Sequence, residues 1–253
     1  MKKKMQAGSL ALASFLLLAA PASALKPPEA PEQVARGEII YKRSCILCHG
    51  AAGEGDGPAA FFIASYGAPR PQNFRTDNFK FRSTPSGMLP TSDDLFRTLT
   101  RGIPGFMPSF AGLTEKERWQ VIYYIKSFNP KFQTTEPERF EIEIGDPHLP
   151  TRGHLTMGRR LYREAGCTEC HGESGRGDGE KADTLEDYRG LSIRPTDLTN
   201  LTAFKNGSTQ EDIYRSIMTG LNGTPMPSFD EAFKGMEDDV WHLVHYILSL
   251  SQK

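Results

Sequence analysis

Cysteine and tryptophan are scarce in this 253-residue sequence, with four Cys and two Trp, and neither sign of charge is in excess. Thirty Lys and Arg stand against 31 Asp and Glu, a formal charge of −1. That balance argues against a nucleic-acid binder, which needs a basic surface to neutralise phosphates. Long hydrophobic runs are missing too. The longest, Ala7 to Ala20, has 14 residues, short of the roughly 18–20 that a helix needs to cross a bilayer. No later segment is long and apolar enough to span a membrane, so association with a membrane complex is expected to be peripheral.

That first run has the layout of a targeting segment. Lys2, Lys3 and Lys4 precede the apolar stretch Leu10 to Ala20, and Pro21-Ala22-Ser23-Ala24 supplies small residues in an A-x-A pattern. This predicts a secretory signal peptide, residues 1–24, cut after Ala24. The competing reading is a retained anchor. With the segment removed, 27 basic residues face 31 acidic ones, a charge of −4. The expected destination is the bacterial periplasm.

Four cysteines in an exported chain ordinarily suggest two disulfides. Their placement argues otherwise. They fall as Cys45-Ile46-Leu47-Cys48-His49 and Cys167-Thr168-Glu169-Cys170-His171. Both are C-x-x-C-H, the pattern for covalent attachment of a c-type haem. Two thiols at this spacing reach the two vinyl groups on one haem edge, and the adjacent His lies under the iron as an axial ligand. A thioredoxin-like motif would need a βαβ setting that is not present. A shared zinc ion would not need a His after each pair.

The similarity of the two halves extends further. Cys48-His49-Gly50 runs into Gly53-Glu54-Gly55-Asp56-Gly57, and Cys170-His171-Gly172 into Gly175-Arg176-Gly177-Asp178-Gly179. Arg101-Gly102 and Met107-Pro108-Ser109-Phe110 return as Thr219-Gly220 and Met226-Pro227-Ser228-Phe229. Trp119 lies 74 residues after Cys45, and Trp241 lies 74 after Cys167. The chain therefore reads as two copies of one fold: domain 1 over 25–130, a Pro-rich linker over 131–152 and domain 2 over 153–253.

Helical periodicity leads into each Cys pair, near 32–47 and 154–169, with Ile39, Ile40 and Tyr41 facing inward in the first copy and Leu155, Leu161 and Tyr162 in the second. Ser92-Asp93-Asp94, Thr114-Glu115, Thr209-Gln210-Glu211 and Asp238-Asp239 read as helix starts. Within the linker, Phe140 to Ile144 alternates, as a short edge strand or an extended segment.

On these residues the chain resembles the class I cytochrome c family, in its diheme tandem form. The resemblance implies an all-α fold of two tandem domains, each with one covalent haem c. It implies His49 and His171 as proximal ligands. Met107 and Met226, 58 and 55 residues after those His, become the distal ligands, with Pro stiffening each ligand loop. A thioether is a soft ligand that raises the reduction potential; the competing role for these Met is packing. The family's proximal His donates to a Pro carbonyl near the motif. Pro58 occupies that place in the first half and Glu180 in the second, so the two haems are expected to differ. Arg70 and Arg194, each followed by Pro, are candidates for pairing with a haem propionate, or are solvated loop residues. Met88, Met218 and Met236 are read as packing residues. His148, His154, His242 and His245 are outside the ligand set, and Trp119, Tyr124, Trp241 and Tyr246 are core.

The function implied is a periplasmic electron carrier, or the electron-transfer subunit of an oxidoreductase, passing single electrons between a redox-protein donor and acceptor. The alternatives are a haem enzyme with one open haem, such as a diheme peroxidase or a thiol-oxidising dehydrogenase, and a structural or sensory haem module. Mass spectrometry of the exported protein is expected to show two added macrocycles. Replacing Cys45 and Cys48 together by Ala should remove one of them; retention of both would sink the assignment.

Overall fold

The computed structural model describes residues 26–64, 69–147 and 149–252. The proposed signal segment and His148 lie outside these. Among the described residues the chain is helical, with no strand; two isolated bridges, Ile103 with Met107 and Glu186 with Ser192, are the extended pairings. The all-α expectation therefore holds.

Each half begins with a helix that leads into the Cys pair: α1 (Pro31–Ser44) then α2 (Ile46–His49), and later α6 (Arg152–Glu164) then α7 (Cys167–His171). In the first half α3 (Pro58–Ala64) follows. Next come α4 (Ser92–Arg101) and α5 (Glu115–Ser127), matched by α8 (Gln210–Thr219) and α9 (Glu237–Leu250). Thr91, Thr114 and Thr209 cap α4, α5 and α8, and in each case the acid three residues on, Asp94, Glu117 or Asp212, completes a capping box. The reciprocal bonds satisfy amide groups that the first turn leaves open.

The first and last helices of each half cross at a glycine. A Cβ at Gly37 of α1 would lie 1.9 Å from the Gln120 carbonyl oxygen of α5, and one at Gly158 of α6 would lie 2.0 Å from that of His242 in α9. Around each crossing lies a separate core. Ile40, Tyr41, Trp119 and Ile122 are buried in one, and Leu161, Tyr162, Trp241 and Val244 in the other. Tyr124 packs on Tyr41 and Tyr246 on Tyr162, with ring centroids 5.2 and 5.4 Å apart. Trp119 stacks on Phe96 of α4 and Trp241 on Tyr214 of α8. The aromatic residues thus fasten the last helix to both of its neighbours. Two expectations need correction. Ile39 points outward at 63% exposure, because the α1 face turned to the core is carried by Ile40 and Tyr41. Met236 is 48% exposed at the N-cap of α9, so it is not a packing residue.

The linker is tied to both halves. The Glu138 carboxylate accepts from the Ser92 amide at 3.0 Å, and the Ile142 amide donates to the Ser83 carbonyl at 2.7 Å. Ile142 and Ile144 pack against the second core. The alternating stretch is extended but pairs with no strand. The halves also touch directly. Arg82, with no exposed surface, donates to the Thr219 carbonyl at 2.5 Å and also reaches Gly220, at the C-terminal end of α8. A cation there meets the negative end of the helix dipole. Arg101, at the end of α4, bonds Asp212 at 2.6 Å and the Asn206 carbonyl at 3.4 Å.

Gly158→Ala is expected to destabilise the protein by about 1–3 kcal/mol through overpacking at the crossing. Gly153→Ala, in the same helix but with its nearest neighbour 3.6 Å away, is expected to be neutral or to stabilise by up to ~1 kcal/mol. Denaturant midpoints that rank these two variants in the opposite order would refute the close crossing.

Candidate haem sites

In each half the Cys pair lies on one helical turn that ends in His and then Gly. None of the four cysteines is in a disulfide, which disposes of the two-bridge reading. Burial pushes the Cys45 and Cys167 thiols up to about 11, with the neighbouring Cys48 and Cys170 adding to the rise. Gly50 and Gly172 close the turns at φ 77° and 76°, a left-handed conformation that costs a residue with a Cβ. A Cβ would also strike the carboxylate of Asp56 or Asp178, at 1.9 and 2.0 Å.

The loop after each motif folds back on it by the same backbone bonds. Gly55 N–H donates to the His49 carbonyl and Gly177 N–H to that of His171, both at 2.9 Å. Gly57 and Gly179 donate to the Cys48 and Cys170 carbonyls. From the first helix of each half, the Tyr41 hydroxyl donates to the Gly50 carbonyl at 2.7 Å and that of Tyr162 to Gly172 at 2.9 Å. The repeated glycines thus shape a loop that holds the motif from outside.

Each proximal His is oriented by a backbone carbonyl. His49 Nδ1 lies 3.1 Å from the Gln72 oxygen and His171 Nδ1 3.0 Å from that of Thr196. Burial pushes both rings below the usual His range, against the opposing effect of these carbonyls. A neutral ring that donates through Nδ1 presents its Nε2 lone pair, the form that binds a metal. The expectation for Pro58 is corrected here. Pro58 opens α3, where its carbonyl runs along the helix axis. Glu180 has no part in the bond either. The acceptors follow Arg70-Pro71 and Arg194-Pro195: the repeated Arg-Pro was the signal, and the residue after Pro provides the oxygen.

Arg70 and Arg194 themselves sit differently. The Arg70 guanidinium lies 4.0 Å over the Phe61 ring. Arg194 pairs with Asp183 at 2.6 Å, both strongly exposed. A surrounding difference also separates the two His. His49 stacks on Phe74 at 4.5 Å and 18°. In the second half Leu198 makes the equivalent backbone bond, Leu198 N–H to Gly175 against Phe74 N–H to Gly53.

The two Met loops are anchored alike. Gly102 and Gly220 end α4 and α8 at φ 72° and 64°. Ile103 N–H donates to the Met107 carbonyl and Leu221 N–H to that of Met226. The Ser109 and Ser228 hydroxyls donate to the carbonyls of Thr100 and Met218, at 2.6 and 2.5 Å. Phe110 and Phe229 donate back to Leu99 and Ile217 at 3.1 Å. Both Met side chains are half-buried. Three of the four other His lie together, away from the Cys pairs in sequence: His154 of α6 lies against His242 and His245 of α9, with centroids 4.8 and 5.9 Å away.

Thiols free of disulfides, a neutral imidazole fixed through Nδ1 and a thioether on an anchored loop form a donor set that fits a c-type haem in each half. The comparisons agree. Residues 32–125 match the family described as cytochrome c oxidase, cbb3-type, subunit III, and residues 155–251 match the cytochrome c family. In structure the chain is similar to a chain of the reducing HAO-like protein complex Kustc0457/Kustc0458 of Kuenenia stuttgartiensis. The identity is 41% and the TM-score 0.79, over 85% of this chain and 95% of that one. No curated protein matches the chain in sequence. The chain belongs to the diheme cytochrome c family and carries two covalently bound c-type haems.

Tyr162→Phe removes the donor to a buried carbonyl beneath the motif. It is expected to lower stability by about 1–3 kcal/mol while leaving both haems attached. A loss below ~0.5 kcal/mol in chemical denaturation would show that the Gly172 oxygen does not depend on this hydroxyl.

Proposed function

We propose that the chain is an exported, periplasmic electron-transfer protein with two His/Met centres, His49 with Met107 and His171 with Met226. Attachment is through Cys45 and Cys48 in a domain spanning 25–130, and through Cys167 and Cys170 in one spanning 153–253, joined by 131–152. Export follows from residues 1–24 acting as a signal peptide cut after Ala24. The observation that carries the reading is the identical anchoring of the two Met loops. Each is pinned to the end of the preceding helix by a glycine, a serine hydroxyl and a phenylalanine amide.

When bound, each haem iron supplies one-electron redox chemistry; the protein supplies ligands, burial and charge. The Gln72 and Thr196 carbonyls keep the imidazole planes fixed. Pro108 and Pro227 remove backbone freedom next to the sulfur. Held by His49 with Met107 and by His171 with Met226, each haem would change little in geometry between oxidation states. Both of its ligand positions would then be taken by the protein, which favours a carrier over an enzyme with an open haem. The similarity to a subunit of an HAO-like complex supports a role as the electron-transfer subunit of a larger oxidoreductase, with redox proteins as donor and acceptor.

Met107→Ala and Met226→Ala are each expected to abolish one half of the near-infrared sulfur-to-iron band of the oxidised protein. Each should also create one high-spin haem that binds cyanide. An unaltered spectrum in either variant would refute ligation by that Met. A wild-type protein with one high-spin haem would favour the enzyme.

A further inference from the structure

A pair of lysines occupies matching positions where the two halves meet. Phe79-Lys80 and Phe204-Lys205 each follow the carbonyl that holds the proximal His, and both Phe are buried in their own cores. Each segment then runs against the other half. Beyond Lys80, Arg82 reaches the end of α8; beside Lys205, the Asn206 carbonyl accepts from Arg101 at the end of α4. The contacts with the Met loops are reciprocal as well. Lys205 Nζ lies 5.4 Å over the ring of Phe106, the residue before Met107. Asn78, two residues before Lys80, lies 3.4 Å from where a Cβ would stand on Gly223 of the other Met loop.

Among the described residues no carboxylate lies within ion-pair distance of either ammonium group. The charges of Asp187 and Arg189 act on Lys80, that of Lys80 on Lys205, and that of Lys205 on His171. The Asp187 carboxylate is taken up by its own turn, accepting from the amides of Arg189 and Leu191 at 2.9 and 3.2 Å. Burial pushes both lysines below their ordinary range. The charge of Lys80 lowers Lys205 further, and Asp187 offsets part of the effect at Lys80. Two half-buried like charges at one junction are unfavourable unless anions join them. The group this family carries brings carboxylates of its own.

We propose that Lys80 and Lys205 are the cationic partners of haem propionates at the junction of the two halves. The assignment rests on the diheme reading. It gives the lysines the role first considered for Arg70 and Arg194, which are engaged by Phe61 and Asp183. A fixed cation beside a propionate keeps the carboxylate ionised and favours the electron on the nearby iron.

The test is a redox titration of the intact protein from pH 5 to 8, with Lys80→Gln, Lys205→Gln, Lys80→Arg, Lys205→Arg, and Lys131→Gln as a surface control paired with Asp77. Mass and absorption spectra first confirm two haems; a wild-type chain without them would sink the diheme reading and not the lysine assignment alone. With both haems present, each Gln variant is expected to lower one midpoint by a roughly tenfold change in the reduction equilibrium constant, ~59 mV for one electron. That midpoint should also become pH-dependent, rising as pH falls, because the unpaired carboxylate takes up a proton. Arg should restore the wild-type profile, and Lys131→Gln should leave it unaltered. No shift, or a shift equal at every pH, would overturn the proposal. Should a Gln variant lose its haem, the Arg variants decide: wild-type midpoints support the assignment, and a pH-dependent midpoint overturns it.

Discussion

In both halves the first and last helices approach so closely that the crossing point has room for a hydrogen and nothing more. Gly37 meets the Gln120 carbonyl and Gly158 that of His242. That contact fixes where Tyr41 and Tyr162 stand. Their hydroxyls reach down to the glycine that closes each Cys-x-x-Cys-His turn. The position of the proximal His is therefore set by a helix crossing 12 or 13 residues upstream. A wider crossing would lift the tyrosine from its acceptor and strand a buried carbonyl.

From there, control of the site passes through main-chain atoms. The His carbonyl accepts from the second glycine of the loop, the imidazole donates to a carbonyl after Arg-Pro, and the Met loop returns to the preceding helix. Since these bonds use the backbone, the side chains between them are free to differ. Ile46-Leu47 in one motif stands where Thr168-Glu169 stands in the other, with the same turn beneath.

That division explains what could be read from the residues alone. Features written in side-chain identity were legible: the Cys-x-x-Cys-His pairs, the glycine loops, the Met-Pro-Ser-Phe repeats and the acidic helix starts. The two-copy organisation followed from their repetition, and the all-α fold from the family resemblance they carry. Gln72 and Thr196 were marked only by the Arg-Pro before each, because any residue carries a carbonyl and the fold alone shows which one faces the ring. Pro58 was expected in that role by position, and the start of α3 turns its oxygen elsewhere. The junction between the halves was equally hidden. Arg82 and Thr219 are 137 residues apart, and no local pattern announces that a buried guanidinium will cap a distant helix. Ile39, inside α1, and Met236, at the N-cap of α9, show the limit of reading a face from pattern, since a shift of one position exchanges core for solvent.

Phe74 has a further meaning. Its ring lies flat against the His49 imidazole, whereas the residue that makes the corresponding backbone bond in the second half is an aliphatic Leu198. An aromatic slab resists libration of the ring it covers; a branched chain leaves that wobble less restrained. The two halves repeat one scaffold, yet among the described residues the His49 imidazole alone of the pair has an aromatic ring stacked on it. Such inequality would let two centres on a nearly symmetric backbone differ in reduction potential.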